Sequence, residues 1–455
     1  VATLRLTADG QESNAVSVRL APRALLDVRA APYSITTLAS DLGSPAGLAV
    51  DRLGALYIAD AANHVVLHIG LDGAVSTVAG NGVPGAAGDG GPAVEANLNA
   101  PAGVAVSPSG ALYVADRGNR KVRRIGRDGT ISTVAGTGLA GSSGDGGPAA
   151  LARLTAPVAV AVDAYGSILV ADAGAHTVRR ITADGWISRL AGTGERGFDG
   201  DGGPARLALL DAPAAVAVAD DGTVYLADAG NSRVRRISLE GSIRTVVGPG
   251  RAPRSLPDPV LDPLPISPLG VAVDPLGELA LVDAANDEIL SLDSGCRIGA
   301  ALEALLDSPS GVAANAVGDL FVADSGNGRV RRMERLAAEA GGACGQPVLL
   351  AISPRHAVGV RVVTATLRLN CAAESDLSIG VSSERPGLGL PASAVVPAGR
   401  VAASFDFLAP LVGEAESARV VAKAGGADVS ARLTVSPADG GLAIRKWSRN
   451  SQRWL

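Results

Sequence analysis

An apolar strand ending in Ala-Asp or Val-Asp recurs six times along the 455-residue chain, its acid falling at Asp60, Asp116, Asp172, Asp228, Asp283 and Asp324. The intervals are 56, 56, 56, 55 and 41 residues. A fixed period of this size restricts the chain to an array of like units, each too small to bury its apolar face alone. The last interval is the bare repeat, and the longer ones carry an insertion of 14–15 residues.

The fullest copy spans residues 98–138 and holds four strand signals. Residues 103–106 are an apolar run after a Pro, and 111–115 follow a Ser-Gly turn. Residues 121–125 follow Asp-Arg-Gly-Asn, and 131–135 follow an Asp-Gly hairpin turn. Four short strands in about 40–45 residues describe one blade of a β-propeller. A helical solenoid would need 3.6-periodic apolar faces, which are missing.

The pattern P-x-G-V-A-V-D, G-x-L-Y-V-A-D, N-x-R-V-R-R-I resembles NHL repeats over roughly residues 34–333. It departs in the first copy, where Leu67-His68 replaces Arg-Arg, and in the fifth, where Leu290-Ser291 does. Residues 34–39 match a fourth strand before the first blade has begun, while the sixth copy lacks one after Met333. The expected solution is that 34–39 complete blade six, which closes the ring and removes its open edges.

The expected fold is therefore all-β: a six-bladed propeller at 31–340, then a β-sandwich at 345–437 whose turns and strands resemble bacterial immunoglobulin-like modules of secreted proteins. A hairpin at 1–30 reads as the end of a truncated module of that kind, and 438–455 as a basic tail. Cys344 and Cys371 flank the first two sandwich strands and are expected to pair, with Cys296–Cys344 as the competing pair.

Net charge is −5, so no broad positive field for nucleic acid is expected. No apolar run approaches the roughly 18 residues of a membrane span. Localisation is taken from the family resemblance as extracytoplasmic: secreted, periplasmic or cell-surface.

The first three insertions share Gly-Asp-Gly-Gly-Pro-Ala, at 88–93, 144–149 and 200–205, each followed by a short apolar stretch. A Gly-rich loop with one or two helical turns is expected there. These loops, the six Asp turns and the partners Asn63, Asn119, Asn231, Asn286 and Asn327 are expected on one face. The turn Asp residues have a structural reading, accepting backbone N–H bonds. As binding-face candidates we take Asp89, Asp145, Asp199, Asp201, Phe198, Asn63, Asn119, Asn231 and Asn327. Asp199-Gly200-Asp201 begins like a calcium loop, but its twelfth position is Leu210, where a bidentate Glu is required.

The resemblance also admits enzymes, lyases and lactonases that hold a metal in the propeller channel. His64 and His176 occupy matching turns two copies apart, too far to share a zinc, and no Ser/His/Asp set is evident. The expected function is a non-catalytic binding or scaffold module for a protein or surface polymer, with no catalytic residues, metal or cofactor. A propeller lyase or lactonase with a channel metal is the alternative.

Overall fold

The computed structural model describes residues 33–249, 266–274, 277–292, 298–302, 306–316 and 318–335, and the later segments 347–353, 356–358, 361–369, 375–383, 388–396, 402–409, 416–424 and 427–436. Before residue 33 it describes four short strands, Ala2–Leu4 paired with Val16–Val18 and Thr7–Ala8 paired with Gln11–Glu12. Cys296, Cys344, Cys371, the basic tail and most of the proline-rich insertion lie outside the described residues.

Six antiparallel sheets share one order. In the second, Pro101–Val106, Leu112–Asp116, Lys121–Ile125 and Ile131–Ala135 pair in sequence. Each strand is short because Gly or Asx punctuates it: Gly110, at φ 81°, sits in the turn between the first two strands, a conformation that carries no penalty without a Cβ. The turn between the second and third strands is a single 3-10 turn in the second, third and fourth sheets, ending on a left-handed residue, Arg120, His176 or Ser232.

The first strands, Pro45–Val50, Pro101–Val106, Pro157–Val162, Pro213–Val218, Pro268–Val273 and Pro309–Ala314, each touch the next, and the sixth touches the first. The sheets therefore form a closed ring of six. The ring is tight. A Cβ on Gly47 would lie 2.6 Å from the Ala102 oxygen, and one on Gly103 would lie 2.7 Å from the Val158 oxygen. In the second strands, Ile58, Val114, Val170, Leu226, Leu281 and Val322 are fully buried between neighbouring sheets. Burial of this layer from water is the main force holding blade to blade.

The sixth sheet takes its outer strand from the other end of the repeat array. Tyr33–Ala39 pairs antiparallel with Arg329–Arg335, placing Ile35 opposite Met333 and Ala39 opposite Val330. Ser325 adds a side-chain bond across the same seam, its hydroxyl donating to the Pro45 carbonyl at 2.5 Å.

Beyond the ring, Pro347–Ser353, Arg361–Leu369 and Ala402–Ala409 form one sheet. A second sheet orders His356–Val358, Ala427–Ser436, Glu416–Ala424, Leu377–Ser383 and Ser393–Val396. Val363, Leu367, Phe407, Ile379, Val420 and Leu433, drawn from both sheets, share one core. The strands His356–Val358 and Ser393–Val396 are too short for a two-residue alternation to announce them.

Candidate functional site

Each Asp that ends a second strand is fully buried and works as a staple. Asp60 accepts N–H bonds from Gly43 and Ser44, both at 2.9 Å, so it holds the approach to its own first strand. Asp116 takes Asn99, Asp172 takes Thr155 and Ala156, Asp228 takes Asp211, Asp283 takes Ser267 and Asp324 takes Asp307 in the same way. The Asn three residues on donates its amide to the same carboxylate. The distances are 2.8 Å for Asn63, 2.7 Å for Asn119, 2.8 Å for Asn231, 2.7 Å for Asn286 and 2.9 Å for Asn327. Asn119 and Asn231 also donate to loop carbonyls, those of Gly85 and Gly197.

Burial raises the pKa of Asp116, Asp172 and Asp228 above the ordinary aspartate value, in spite of the hydrogen bonds and arginines that favour their charge. The loss of hydration is thus the larger effect at these staples.

The Gly-Asp-Gly-Gly-Pro-Ala loops run along the outer edge of the next sheet. Gly90 N–H donates to the Ile131 carbonyl at 2.8 Å, Ile131 N–H to Gly91 at 3.0 Å, and Ala93 N–H to Gly129 at 2.8 Å. In the third sheet the same contact makes Gly147–Pro148 a fifth strand beside Trp186–Ala191. One 3-10 turn follows, at Ala93–Glu95, Ala149–Leu151 and Ala205–Leu207. Its extended proline, Pro92, Pro148 or Pro204, stands just before the turn. Beyond it Leu98, Leu154 and Leu210 are fully buried. Each loop is a clasp between two blades.

The acid of each loop meets a buried arginine of the third strand of the sheet it clasps. Asp89 lies 2.9 Å from Arg123, Asp145 lies 2.7 Å from Arg179 and Asp201 lies 2.7 Å from Arg235. These arginines also donate to loop carbonyls, Arg179 to Arg153 at 2.9 Å and Arg235 to Leu209 at 2.9 Å. A buried guanidinium is tolerated only when paired and bonded, and the loop supplies both. The signal was within the chain: where the loop is missing or replaced, before the first and fifth copies, the arginine is also gone, giving Leu67 and Leu290. The sixth copy keeps Arg331, which turns to its own Asp324 at 2.9 Å and to Thr37 at 2.8 Å.

Among the remaining binding-face candidates, Asp199 is exposed and accepts the N–H of Gly200 at 2.7 Å. Phe198 is partly exposed, but the guanidinium of Arg233 lies 3.6 Å over its ring, so one face is already taken by a cation–π contact. His64 and His176 accept backbone N–H bonds from Ala100 and Ala212 through Nδ1, at 3.0 and 3.1 Å. They tie one blade's turn to the next connection.

The clasps also expose large apolar residues, Val83, Val94, Leu139, Leu151 and Leu207, beside charged ones such as Glu95, Glu195 and Arg206. One end of the central channel, a cavity of about 270 Å³, is lined by Gly, Ala, Val and Leu of all six first strands, with Ser310 and Arg117. At the other ends of the first four of these strands a cavity of about 250 Å³ is lined by Asp51, Asp163 and Asp220 with Arg52 and Ser107. Among the described residues no group of three His, Cys, Asp or Glu could hold a metal ion, and no helix is long and apolar enough to cross a membrane.

Residues 83–143 and 194–238 match the teneurin NHL domain, and residues 306–333 match the NHL repeat. The chain carries NHL repeats. It is 31% identical over 225 residues to teneurin-1 of mouse, across 44% of this chain and 8% of that protein. It is 27% identical over 268 residues to the Arabidopsis protein suppressor of quenching 1, chloroplastic, across 55% of this chain and 25% of that one. The chain thus spans under a tenth of the length of the teneurins it matches. A gluconolactonase structure from Xanthomonas campestris aligns with a TM-score of 0.47 at 19% identity, over 68% of this chain and 92% of that one.

Proposed function

We propose that the chain is a non-catalytic extracytoplasmic binding or scaffold module that contacts a protein or surface polymer through the loop-rich side of its propeller. One observation carries this reading. Three loops whose backbones are fixed by buried arginine–aspartate pairs nevertheless leave Val94, Leu151 and Leu207, one on each loop, in solvent, at 48%, 72% and 62% exposure. Large apolar groups held out on a rigid scaffold suit a macromolecular partner, because little ordering entropy remains to be lost on contact.

The teneurin NHL match, which includes two of the three clasps together with strands of their blades, supports a binding propeller. The alternative, a lyase or lactonase with a channel metal, asks for converging ligands. One end of the channel presents mainly Gly, Ala, Val and Leu. At the other ends of the first strands Asp51, Asp163 and Asp220 line a cavity without forming, among the described residues, a group of three that could hold a metal ion. We take residues 347–436 as an immunoglobulin-like sandwich that spaces or presents the propeller, a reading supported by its two sheets over one core.

The test places a photo-crosslinking amino acid at Leu151, at Leu207, or at Leu53, an exposed residue in a turn between first and second strands. After exposure to surface proteins and wall polymer, adducts should form from Leu151 and Leu207 and not from Leu53. Adducts from Leu53 alone, or from none of the three, would remove the loop side from the reading.

A further inference from the structure

The first sheet lacks the clasp that its three successors carry. Five residues, 40–44, join the sixth sheet's outer strand to the first strand of this sheet, where the equivalent stretch before the second sheet runs from 80 to 100. The consequence is visible in one comparison. Val75 opens the outer strand Val75–Ala79 and is 50% exposed, whereas its counterparts Ile131, Ile187 and Ile243 are fully buried beneath loops. Those counterparts exchange backbone bonds with Gly-Gly segments; Ile243 N–H donates to Gly203 at 2.9 Å, and its carbonyl accepts from Gly202 at 2.7 Å. Among the described residues nothing pairs with the outer side of Val75–Ala79.

We propose that this edge is a binding slot for an extended segment of a partner protein, which adds to the first sheet as a strand antiparallel to Val75–Ala79. The protein itself displays the occupant three times over: Gly-Gly-Pro-Ala laid against the same position of the next three sheets. Main-chain bonds supply the affinity in such strand addition, and the side chains opposite supply the choice.

Charge decides the choice here. The filled slots put a carboxylate from the loop on Arg123, Arg179 or Arg235. The open slot has Leu67 at that place, half-buried and opposite Thr77 of the open strand. A carboxylate there would lose hydration with no cation to receive it, so the segment that fits carries an apolar residue where the loops carry Asp. A five-residue edge also offers far less than the roughly 800 Å² per partner of a stable folded interface, which favours a flexible peptide segment over a second copy of the chain. The slot is separate from the exposed leucines of the clasps, so it stands or falls apart from the crosslinking test above.

The experiment uses fluorescent peptides with the sequence of residues 143–151, native and with D145L, titrated against the full chain. The D145L peptide should bind saturably, and at least about tenfold more tightly than the native peptide. The variant L67R should reverse that preference. In V75P the outward N–H is removed from an edge position that tolerates proline, and binding should fall about tenfold or more while the melting curve is kept. Hydrogen exchange at the Val75 amide should be fast in the free protein and slow with peptide. Loss of the preference in L67R with binding unchanged in V75P would overturn the proposal, as would no saturable binding of either peptide. A Val75 amide already protected in the free chain would assign the slot to the chain itself, and a dimer dissociated by V75P and untouched by peptide would assign it to a second copy; either result overturns it.

Discussion

Arg179 and Asp145 lie 2.7 Å apart, joining the core of the third blade to the loop that arrives from the second. The arginine is almost fully buried and the aspartate is 28% exposed. The same contact recurs 34 residues apart in sequence at Arg123–Asp89 and Arg235–Asp201. The clasp is therefore a conserved internal geometry of this chain, with the guanidinium as hub and the loop backbone wrapped around it.

Removing either partner should have unequal effects. R179L leaves Asp145 with Arg189 alone, at 3.5 Å, removes the carbonyl bonds to Arg153 and Ser143 and takes the nearby cation from the Asp172 staple, so it should cost about 3–5 kcal/mol. D145A leaves Arg179 its carbonyl bonds to Arg153 and Ser143 and should cost about 1–2 kcal/mol. The double variant should cost less than the sum, because an apolar residue at this place with no acid above it already occurs at Leu67. Urea unfolding of the four proteins measures the coupling; strict additivity would show that the pair does not act as a unit.

Two glycines separate crowding from backbone conformation. A Cβ on Gly311 would collide with the Ala46 carbonyl at the seam between the sixth and first blades. Gly146 has φ 80° and no atom within 4 Å of its absent Cβ. G311A should cost about 1–3 kcal/mol through overpacking, and G146A about 1 kcal/mol through conformation alone. Thermal melts compare them, and the seam variant should be the worse.

The blades were legible because each strand and turn is local: Asp60 and Asn63 stand three residues apart and fix a turn that both sequence and structure display. The clasps were legible only as extra material. What they do depends on Asp89 reaching Arg123 across 34 residues, and no short-range pattern encodes that. The joint loss of loop and arginine at Leu67 and Leu290 did encode it, as a comparison of copies with one another. The loops meet the Asp turns, where Asn119 and Asn231 bond the Gly85 and Gly197 carbonyls, and their Gly-Gly-Pro segments run on along the outer edges, because Gly-Gly-Pro can bond an open strand and remove its unpaired groups. Phe198 was a binding-face candidate by its loop position alone; the residue that covers its ring, Arg233, is 35 positions away.

Closure rests on a strand distant in sequence from its partner. Ile35 stands opposite Met333, and Arg331 donates to the Thr37 hydroxyl at 2.8 Å. Deleting residues 1–40 removes this strand, exposes the edge at Arg329–Arg335 and should lower the melting temperature by about 10 °C or more, while deletion of 1–28 should change it little. Small and equal shifts would show that the ring does not depend on that pairing.

Acid should be tolerated by the staples. The folded chain holds the protons of Asp116, Asp172 and Asp228 more tightly than an unfolded chain does, since burial raises all three above the ordinary 3.8. A group of this sign carries its penalty in full above its folded midpoint. The penalty is relieved as pH falls through that midpoint, and relief is complete below the unfolded value. Asp128, exposed and held low by the Thr130 hydroxyl and N–H, has the opposite sign: its contribution is present above the unfolded value and is lost as pH falls. The net acid response thus separates buried from surface carboxylates. In D116N the relief is absent, so on going from neutral pH to pH about 4.5 this variant should lose more stability, or gain less, than the parent. Carboxyl carbon NMR of Asp116 checks the cause directly: its midpoint should lie above 3.8, and a midpoint below that value would mean that Asn119, the Asn99 N–H and Arg123 together outweigh the lost hydration.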